Sequence, residues 1–229
     1  MIEFSRVSKT YNKKVRALDN VSFHIKKGEF VFIIGPSGAG KSTLTKLILK
    51  EERPTSGRIY VNGKNISKMR SWEIPKYRQK MGVVFQDFRI LEDKTVEGNI
   101  RYAMELLGKS NSYIKRTISD TLSLLNLEGK EKSYPYELSG GELQRVSIAR
   151  AMASNPEILI ADEPTGNLDP VTSMKIAKTL EKINDKGTTV LMITHEAAVV
   201  NALNKRVIQL DQGRLIRDEF EGKYFNGEN

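Results

Sequence analysis

The hydrophobic pattern changes period several times along the chain, and each change marks an element. In residues 1–29 the apolar positions alternate, as Ile2, Phe4 and Val7 and then Val21, Phe23 and Ile25. That period of two predicts strands, with turns at Asp19-Asn20 and Lys27-Gly28. The unbroken run Phe30 to Ile34 predicts a short buried strand, and Leu44, Leu47 and Ile48 have the spacing of a helix over 42–50. A turn at Pro54-Thr55-Ser56-Gly57 leads to a strand over Arg58–Val61 that stops at Asn62-Gly63. Met81–Phe85 reads as another strand, running into Gln86. From there to about Asn155 the period is helical, with helices expected over Val96–Leu107, Ile114–Leu125 and Gly141–Ala153. Strand character returns at Ile158–Ala161, Thr188–Ile193 and Val207–Leu210, separated by helices over Val171–Ile183 and Glu196–Leu203. Strands alternating with helices in this way predict an α/β fold with a parallel sheet. The 87–155 stretch then reads as a helical insertion into a nucleotide-binding core, with no repeat, low-complexity tract or linker in view.

Composition narrows the class. The 229 residues suffice for one large domain or a domain with an insertion. The longest apolar runs are strand-sized, far below the roughly eighteen residues of a spanning helix, and the first residues lack a secretion-signal layout. Zero cysteines exclude disulfides and thiolate metal sites and fit a reducing compartment. These features lead us to expect a soluble, cytoplasmic chain. The net charge of +9 is compatible with nucleic acid, with an anionic membrane surface or with a merely solvated basic surface. The basic residues are dispersed, the densest stretch being Lys64 to Lys80, and no DNA- or RNA-reading module stands out.

The candidate chemistry begins at Gly35-Pro36-Ser37-Gly38-Ala39-Gly40-Lys41-Ser42, which fits G-x-x-x-x-G-K-S at every fixed position. The predicted strand before it and the predicted helix after it supply the context this phosphate loop needs. Glycines let successive backbone N–H groups converge on phosphates, and the helix N-terminus adds partial positive charge. Lys41 is placed to reach the β and γ phosphates, Ser42 to ligate magnesium, and Thr43 joins them as a nucleotide-binding residue. A magnesium-bound nucleoside triphosphate is the expected ligand. Downstream, the apolar strand Ile158–Ala161 ends in Asp162 and Glu163. Carboxylates are tolerable there only where water or a ligand compensates their charge. In a phosphate-loop enzyme the Asp holds magnesium and the Glu can polarise an attacking water. A third feature is Leu138-Ser139-Gly140-Gly141-Glu142-Leu143-Gln144-Arg145, which opens a helix that Ser139 can cap. Its two glycines leave the amides open, making a second anion-binding helix start in a chain with one magnesium site. The arrangement suggests that this second start serves another molecule's nucleotide.

Leu-Ser-Gly-Gly is also the signature of the ATP-binding cassette family, and the chain resembles that family over nearly its whole length. The resemblance implies a single cassette of 1–229. A phosphate-loop core and a small antiparallel β subdomain would occupy about 1–86 and 156–229, and a helical subdomain about 87–155. Two cassettes of the family close head to tail, each ATP lying between one phosphate loop and the partner's signature. The resemblance thus assigns Ser139, Gly140 and Gly141 to the second copy's ATP. Tyr11, 24 residues before Gly35, matches the adenine-stacking aromatic. Gln86 matches the glutamine that contacts magnesium and the lytic water, and Asp169, in Gly166-Asn167-Leu168-Asp169, belongs to the loop crossing the dimer seam. His195 matches the histidine on the γ-phosphate, whereas His24, inside a strand pattern, has no role. Leu143 and Glu97-Gly98 depart from common family residues at positions that do not touch phosphate.

A lone cassette without a spanning segment implies a homodimer and a separate membrane partner. Ala161–Asp169 resembles the subgroup of lipoprotein-release, macrolide-export and cell-division ATPases. Val83–Leu91, Asp93–Val96, Gly28–Phe32 and the short tail Gly213–Glu219 favour the cell-division type. That type implies a polytopic partner resembling FtsX, and a peripheral place on the cytoplasmic side of the cell membrane at the division site. A lipoprotein or macrolide exporter subunit, a nucleic-acid-associated cassette ATPase and a nucleotide switch without turnover remain alternatives at this stage.

Overall fold

A computed structural model describes residues 1–12 and 14–224. Strands β1 (Ile2–Tyr11) and β2 (Val15–Ile25) pair antiparallel with Phe4 opposite Phe23, whose rings stack at 4.6 Å. The alternating apolar residues of both strands point to one buried face, as the period of two requires. β3 (Phe30–Ile34) is buried at all five positions and leads through the phosphate loop into α1 (Lys41–Ile48). β4 (Ser56–Val61) pairs antiparallel with β1, and the two-residue β5 (Lys64–Asn65) completes a four-stranded sheet of order β2-β1-β4-β5. Two 3-10 turns, Ile66–Lys68 and Ser71–Glu73, and a short α2 (Ile74–Arg78) precede β6 (Met81–Phe85).

Three helices follow, α3 (Val96–Leu106), α4 (Asn111–Leu124) and α5 (Gly140–Met152). The chain then alternates through β7 (Ile158–Asp162), α6 (Pro170–Asp185), β8 (Thr189–Ile193), α7 (Ala197–Leu203) and β9 (Arg206–Asp211), and ends with β10 (Arg214–Glu219). Strands β3 and β6 to β10 make a second sheet of order β10-β9-β3-β8-β7-β6, parallel except for the antiparallel edge strand β10.

The central parallel strands of the six-stranded sheet are buried on both faces, which is why they are continuous apolar runs. Phe30, Phe32 and Ile34 of β3 join a core with α3 to α7, while Val31 and Ile33 join a core with α1 and the four-stranded sheet. The parallel register sets Phe85 beside Asp162 and Asp162 beside Ile193, so β6, β7 and β8 finish level with one another. Whatever follows those strands is delivered to one edge, the place where open α/β sheets hold ligands.

Several features differ from the sequence reading. Asp19-Asn20, expected as a turn, lies inside β2, where Asn20 takes φ +52° next to a break in the register with β1. Gly213–Glu219 contains the strand β10, whose half-exposed, charge-rich pattern hides it. Lys64–Lys80 holds elements too short to show a period. Helix α4 starts three residues before Ile114, because Ser110 accepts from the Tyr113 N–H and caps a polar first turn.

Candidate active site

The phosphate loop leaves β3 at Gly35, whose φ of +146° and surroundings admit no side chain. A Cβ there would lie 2.1 Å from the Leu210 carbonyl oxygen. Helix α1 starts without a side-chain cap and without an acidic residue in its first turn, so its leading N–H groups are available to an anion. The Lys41 ammonium folds back on its own loop, donating to the Gly35 carbonyl at 2.6 Å and the Pro36 carbonyl at 3.0 Å, and the residue as a whole is only 9% exposed. These groups line a cavity of about 500 Å³ formed by Gly35 to Gly38, Gly40 to Thr43, Ala17, Glu163, His195 and Tyr224.

A second cavity, of about 450 Å³, adjoins it through Ser42 and Glu163 and is lined further by Phe85, Gln86, Asp87, Arg89, Asp162 and Asn167. Burial pushes the Asp162 carboxyl up and the Glu163 charge adds to this, against the opposing pull of Lys41, Arg89 and Lys46. A carboxylate so placed is suited to a cation. Together with the Ser42 hydroxyl and the Gln86 amide it offers the hard oxygen donors that Mg²⁺ prefers, so the residues present fit that ion.

Glu163 directly follows β7 with φ +48°, a left-handed backbone uncommon for a residue bearing a side chain. Its N–H donates to the Ile193 carbonyl at 2.9 Å, which fixes the bend against the end of β8. The bend carries the carboxylate to the wall shared by both cavities, with Oε1 3.5 Å from Nδ1 of His195. Gln86 donates from Nε2 to Oδ1 of Asn167 at 3.3 Å, and Nδ2 of Asn167 returns a bond to the Gln86 carbonyl at 3.4 Å. The level strand ends of the sheet thus bring Gln86, Asp162, Glu163 and His195 to the phosphate loop.

Other candidates are placed elsewhere. Tyr11 is not part of either cavity wall, and the Lys9 ammonium sits 4.7 Å from its ring centroid. Asp169 caps α6 by accepting from the Val171 and Thr172 N–H groups, both at 3.0 Å. The Thr172 hydroxyl and these amides hold its carboxyl below the usual range. Ser139 caps α5 in a reciprocal capping box with Glu142. The Ser139 N–H and hydroxyl, with Lys130 at 3.1 Å, pull the Glu142 carboxyl down to about 2. Gly141 packs so closely on α6 that a Cβ would lie 2.6 Å from Cγ2 of Thr172. Ser139, Gly140 and Gly141 line neither cavity.

The sequence reading missed Ala17 and Tyr224, since both reach the cavity only through tertiary folding. A further groove of about 500 Å³, at the opposite end of the sheet by Met81 and Ile158, is walled by Trp72, Tyr77 and the Lys64–Glu73 ion pair. It gathers no comparable set of loop amides, carboxylates and histidine.

A family profile described as ABC transporter matches residues 18–166, a span that contains the phosphate loop, the signature and the β7 carboxylates. The chain belongs to the ABC transporter family. Like other ABC cassettes it is an ATPase, and its mixed sheets are those of the phosphate-loop cassette fold. Among ABC relatives, the "Cell division ATP-binding protein FtsE" of Bacillus subtilis (strain 168) is 50% identical over 224 residues, covering 98% of each chain. The protein of the same name from Mycobacterium tuberculosis (strain ATCC 25618 / H37Rv) is 51% identical over 225 residues, again covering 98% of each. Among solved ABC structures, a dimeric cassette in a post-hydrolysis state bound to ADP and Pi superimposes with a TM-score of 0.86 at 36% identity. That alignment covers 98% of this chain and 100% of the other.

Proposed function

We propose that this chain is the ATP-hydrolysing subunit of a bacterial cell-division complex, working as a homodimer on a polytopic membrane partner resembling FtsX. The reading is carried by the two adjoining cavities whose common wall holds Ser42 and Glu163. One cavity has phosphate-binding chemistry and the other has the donors for a cation and a water. Full-length similarity to proteins named FtsE supports the cell-division role.

In this reading the triphosphate occupies the loop Gly35–Thr43, and Lys41 exchanges the Gly35 and Pro36 carbonyls for the β and γ phosphates. Tyr11 stacks on the adenine beyond the cavity wall, a contact of about 1–3 kcal/mol. Ser42, Asp162 and Gln86 hold Mg²⁺, which when bound neutralises charge on the phosphates. Glu163 takes a proton from the attacking water as its oxygen bonds to the γ-phosphorus and the bond to the ADP oxygen breaks. The 3.5 Å approach of His195 to Glu163 keeps the imidazole at the γ-phosphate side. Ser139, Gly140 and Gly141, which line neither cavity of their own chain, complete the site of a second copy, and Asp169 sits at the seam between the two. Closure of the dimer then depends on ATP, and reopening on hydrolysis. The helical segment 87–155 and Gln86 carry this cycle to the membrane partner, which holds the chain on the cytoplasmic face at the division site.

The test is purification of the tagged chain from native membranes. A partner with four spanning segments and a modest extracellular domain supports the reading. Recovery of a permease with a large periplasmic domain replaces it with an exporter of lipoprotein or macrolide type. DNA binding that is strongly salt-dependent and stimulates turnover would replace it with a nucleic-acid ATPase.

A further inference from the structure

Beyond β10 the chain turns back toward the nucleotide site along a fixed path. The Gly222 N–H donates to the Lys205 carbonyl at 3.1 Å, and a Cβ at Gly222 would lie 2.8 Å from Cβ of Val207, so the backbone is pressed against β9. Arg217 donates from its guanidinium to the Lys223 carbonyl at 2.5 Å. The Tyr224 N–H donates to Oδ1 of Asn201 on α7 at 2.7 Å. Three hydrogen bonds and one tight contact over three residues make a strap rather than a loose end. Its outcome is that Tyr224, half-buried against the helix-side core, forms part of the phosphate-loop cavity together with Gly35 to Gly38, Lys41, Glu163 and His195.

The chemistry of that wall defines what a tyrosine can do there. Its other members are loop amides, an ammonium, hydroxyls, a carboxylate and an imidazole, a set suited to phosphate rather than to a base. Tyr224 is the wall's single phenol, and among the described residues none accepts a hydrogen bond from its hydroxyl. That phenol O–H is a donor open to a ligand in the cavity. We propose that Tyr224 is a nucleotide-binding residue, its hydroxyl donating to a phosphate oxygen of the bound nucleotide, so that the C-terminal strap is a structural part of the ATP site. The proposal rests on the reading of this cavity as the triphosphate site. A neutral donor to a phosphate is the stronger, charge-assisted kind of hydrogen bond.

The test is calorimetric titration of the full chain with a non-hydrolysable ATP analogue and Mg²⁺, using Tyr224→Phe, Tyr224→Ala and Lys41→Ala. Tyr224→Phe keeps the ring and its packing, and we expect binding about tenfold weaker with an unchanged melting temperature in the absence of nucleotide. In turnover, the same variant raises KM and leaves kcat within about twofold, because the contact is present before the chemistry. Tyr224→Ala weakens binding at least as much. Wild-type affinity in both tyrosine variants, with binding lost in Lys41→Ala, overturns the role of Tyr224 and leaves the cavity assignment standing. Wild-type affinity in Lys41→Ala overturns the cavity assignment and the proposal with it.

Discussion

Replacing Glu163 by Gln is the perturbation that separates binding from chemistry at this site. The glutamine has the same volume and still reaches His195, now 3.5 Å from the carboxylate, but it has no basic oxygen to accept a proton from water. The left-handed backbone at φ +48° is equally uncommon for either residue, so the variant neither adds nor relieves strain. Stability should therefore change by less than about 0.5 kcal/mol. Loss of general-base assistance of roughly 10²–10³ raises the barrier by about 3–4 kcal/mol. In the proposed function the ground-state contacts to the phosphates come from the loop amides and Lys41, which the change does not touch, so nucleotide affinity should hold within about twofold. With hydrolysis slowed, an ATP-closed dimer accumulates. Single-turnover phosphate release gives the rate, and size-exclusion chromatography with light scattering gives the dimer. Turnover within about threefold of the parent, with binding intact, refutes Glu163 as the base. Loss of binding would instead assign it a part in holding the nucleotide.

Asp162→Asn removes a carboxylate that burial and the Glu163 charge hold above its ordinary range. A raised carboxylate pKa means the ionised form burdens the fold at neutral pH and ceases to do so as pH falls through the folded-state value. Without nucleotide the variant should gain about 0.5–2 kcal/mol in urea unfolding at pH 7, while Mg²⁺-dependent binding drops. A variant less stable than the parent at pH 7 would contradict this. Glu142→Gln removes the charge from the capping box on α5, whose carboxyl is held down to about 2. A depressed carboxylate pKa contributes stability above the unfolded value near 4.3, and this is lost as pH falls toward 2. Discounted for its partial exposure, the loss should be about 1 kcal/mol and constant from pH 5 to 8, shrinking only below that window. A difference that grows on acidification refutes the assignment. Arg150→Met frees the loop after Gln86, where Phe88 and Arg89 both hold left-handed backbone and both carbonyls accept from Arg150. Stability should fall by about 1–3 kcal/mol, with faster amide exchange concentrated over residues 86–91. Unchanged exchange there would mean that the guanidinium does not restrain the loop.

How much of this was legible in the sequence depended on whether a residue's role is local. The phosphate loop is local, because strand, glycine turn and helix are contiguous and the glycine at 35 has no alternative next to Leu210. The strands β6, β7 and β8 are local too, since burial on both faces forces continuous apolar runs. β10 escaped notice because an edge strand on β9 needs only one half-covered face, and Arg214–Glu219 shows charge instead of period. Ala17 and Tyr224 had no local signal at all. Ala17 comes to the cavity because β2 crosses the start of α1, and Tyr224 because the strap follows α7. The Ser139 and Gly141 positions were legible as a helix start, but that they line neither cavity of the same chain is a property of the whole fold.

A chain of contacts nonetheless joins the signature helix to the walls of the second cavity. Gln86 exchanges hydrogen bonds with Asn167, and two residues on Asp169 caps α6. The first turn of α6 carries Thr172, against which Gly141 packs without room for a Cβ. Gly141 opens α5, and Arg150 near the other end of that helix bonds the carbonyls of Phe88 and Arg89, beside Gln86 again. The contacts form a closed ring, from the strand end of β6 through α6 and the signature helix and back. An α-helix about 13 residues long is some 20 Å of stiff backbone, so α5 does not absorb a displacement applied at one end. If Gln86 moves toward a ligand in the second cavity, as the proposed function requires, the shift reaches both ends of α5, through Asn167 and α6 at its start and through Arg150 at its finish. Close packing at Gly141 tightens the last step of the first route, although its first step, the 3.3 and 3.4 Å hydrogen bonds between Gln86 and Asn167, is long. In the second route two left-handed residues are held by one guanidinium. The signature and the loop after Gln86 are thus joined to the same residue, the arrangement that the proposed coupling to a membrane partner would use.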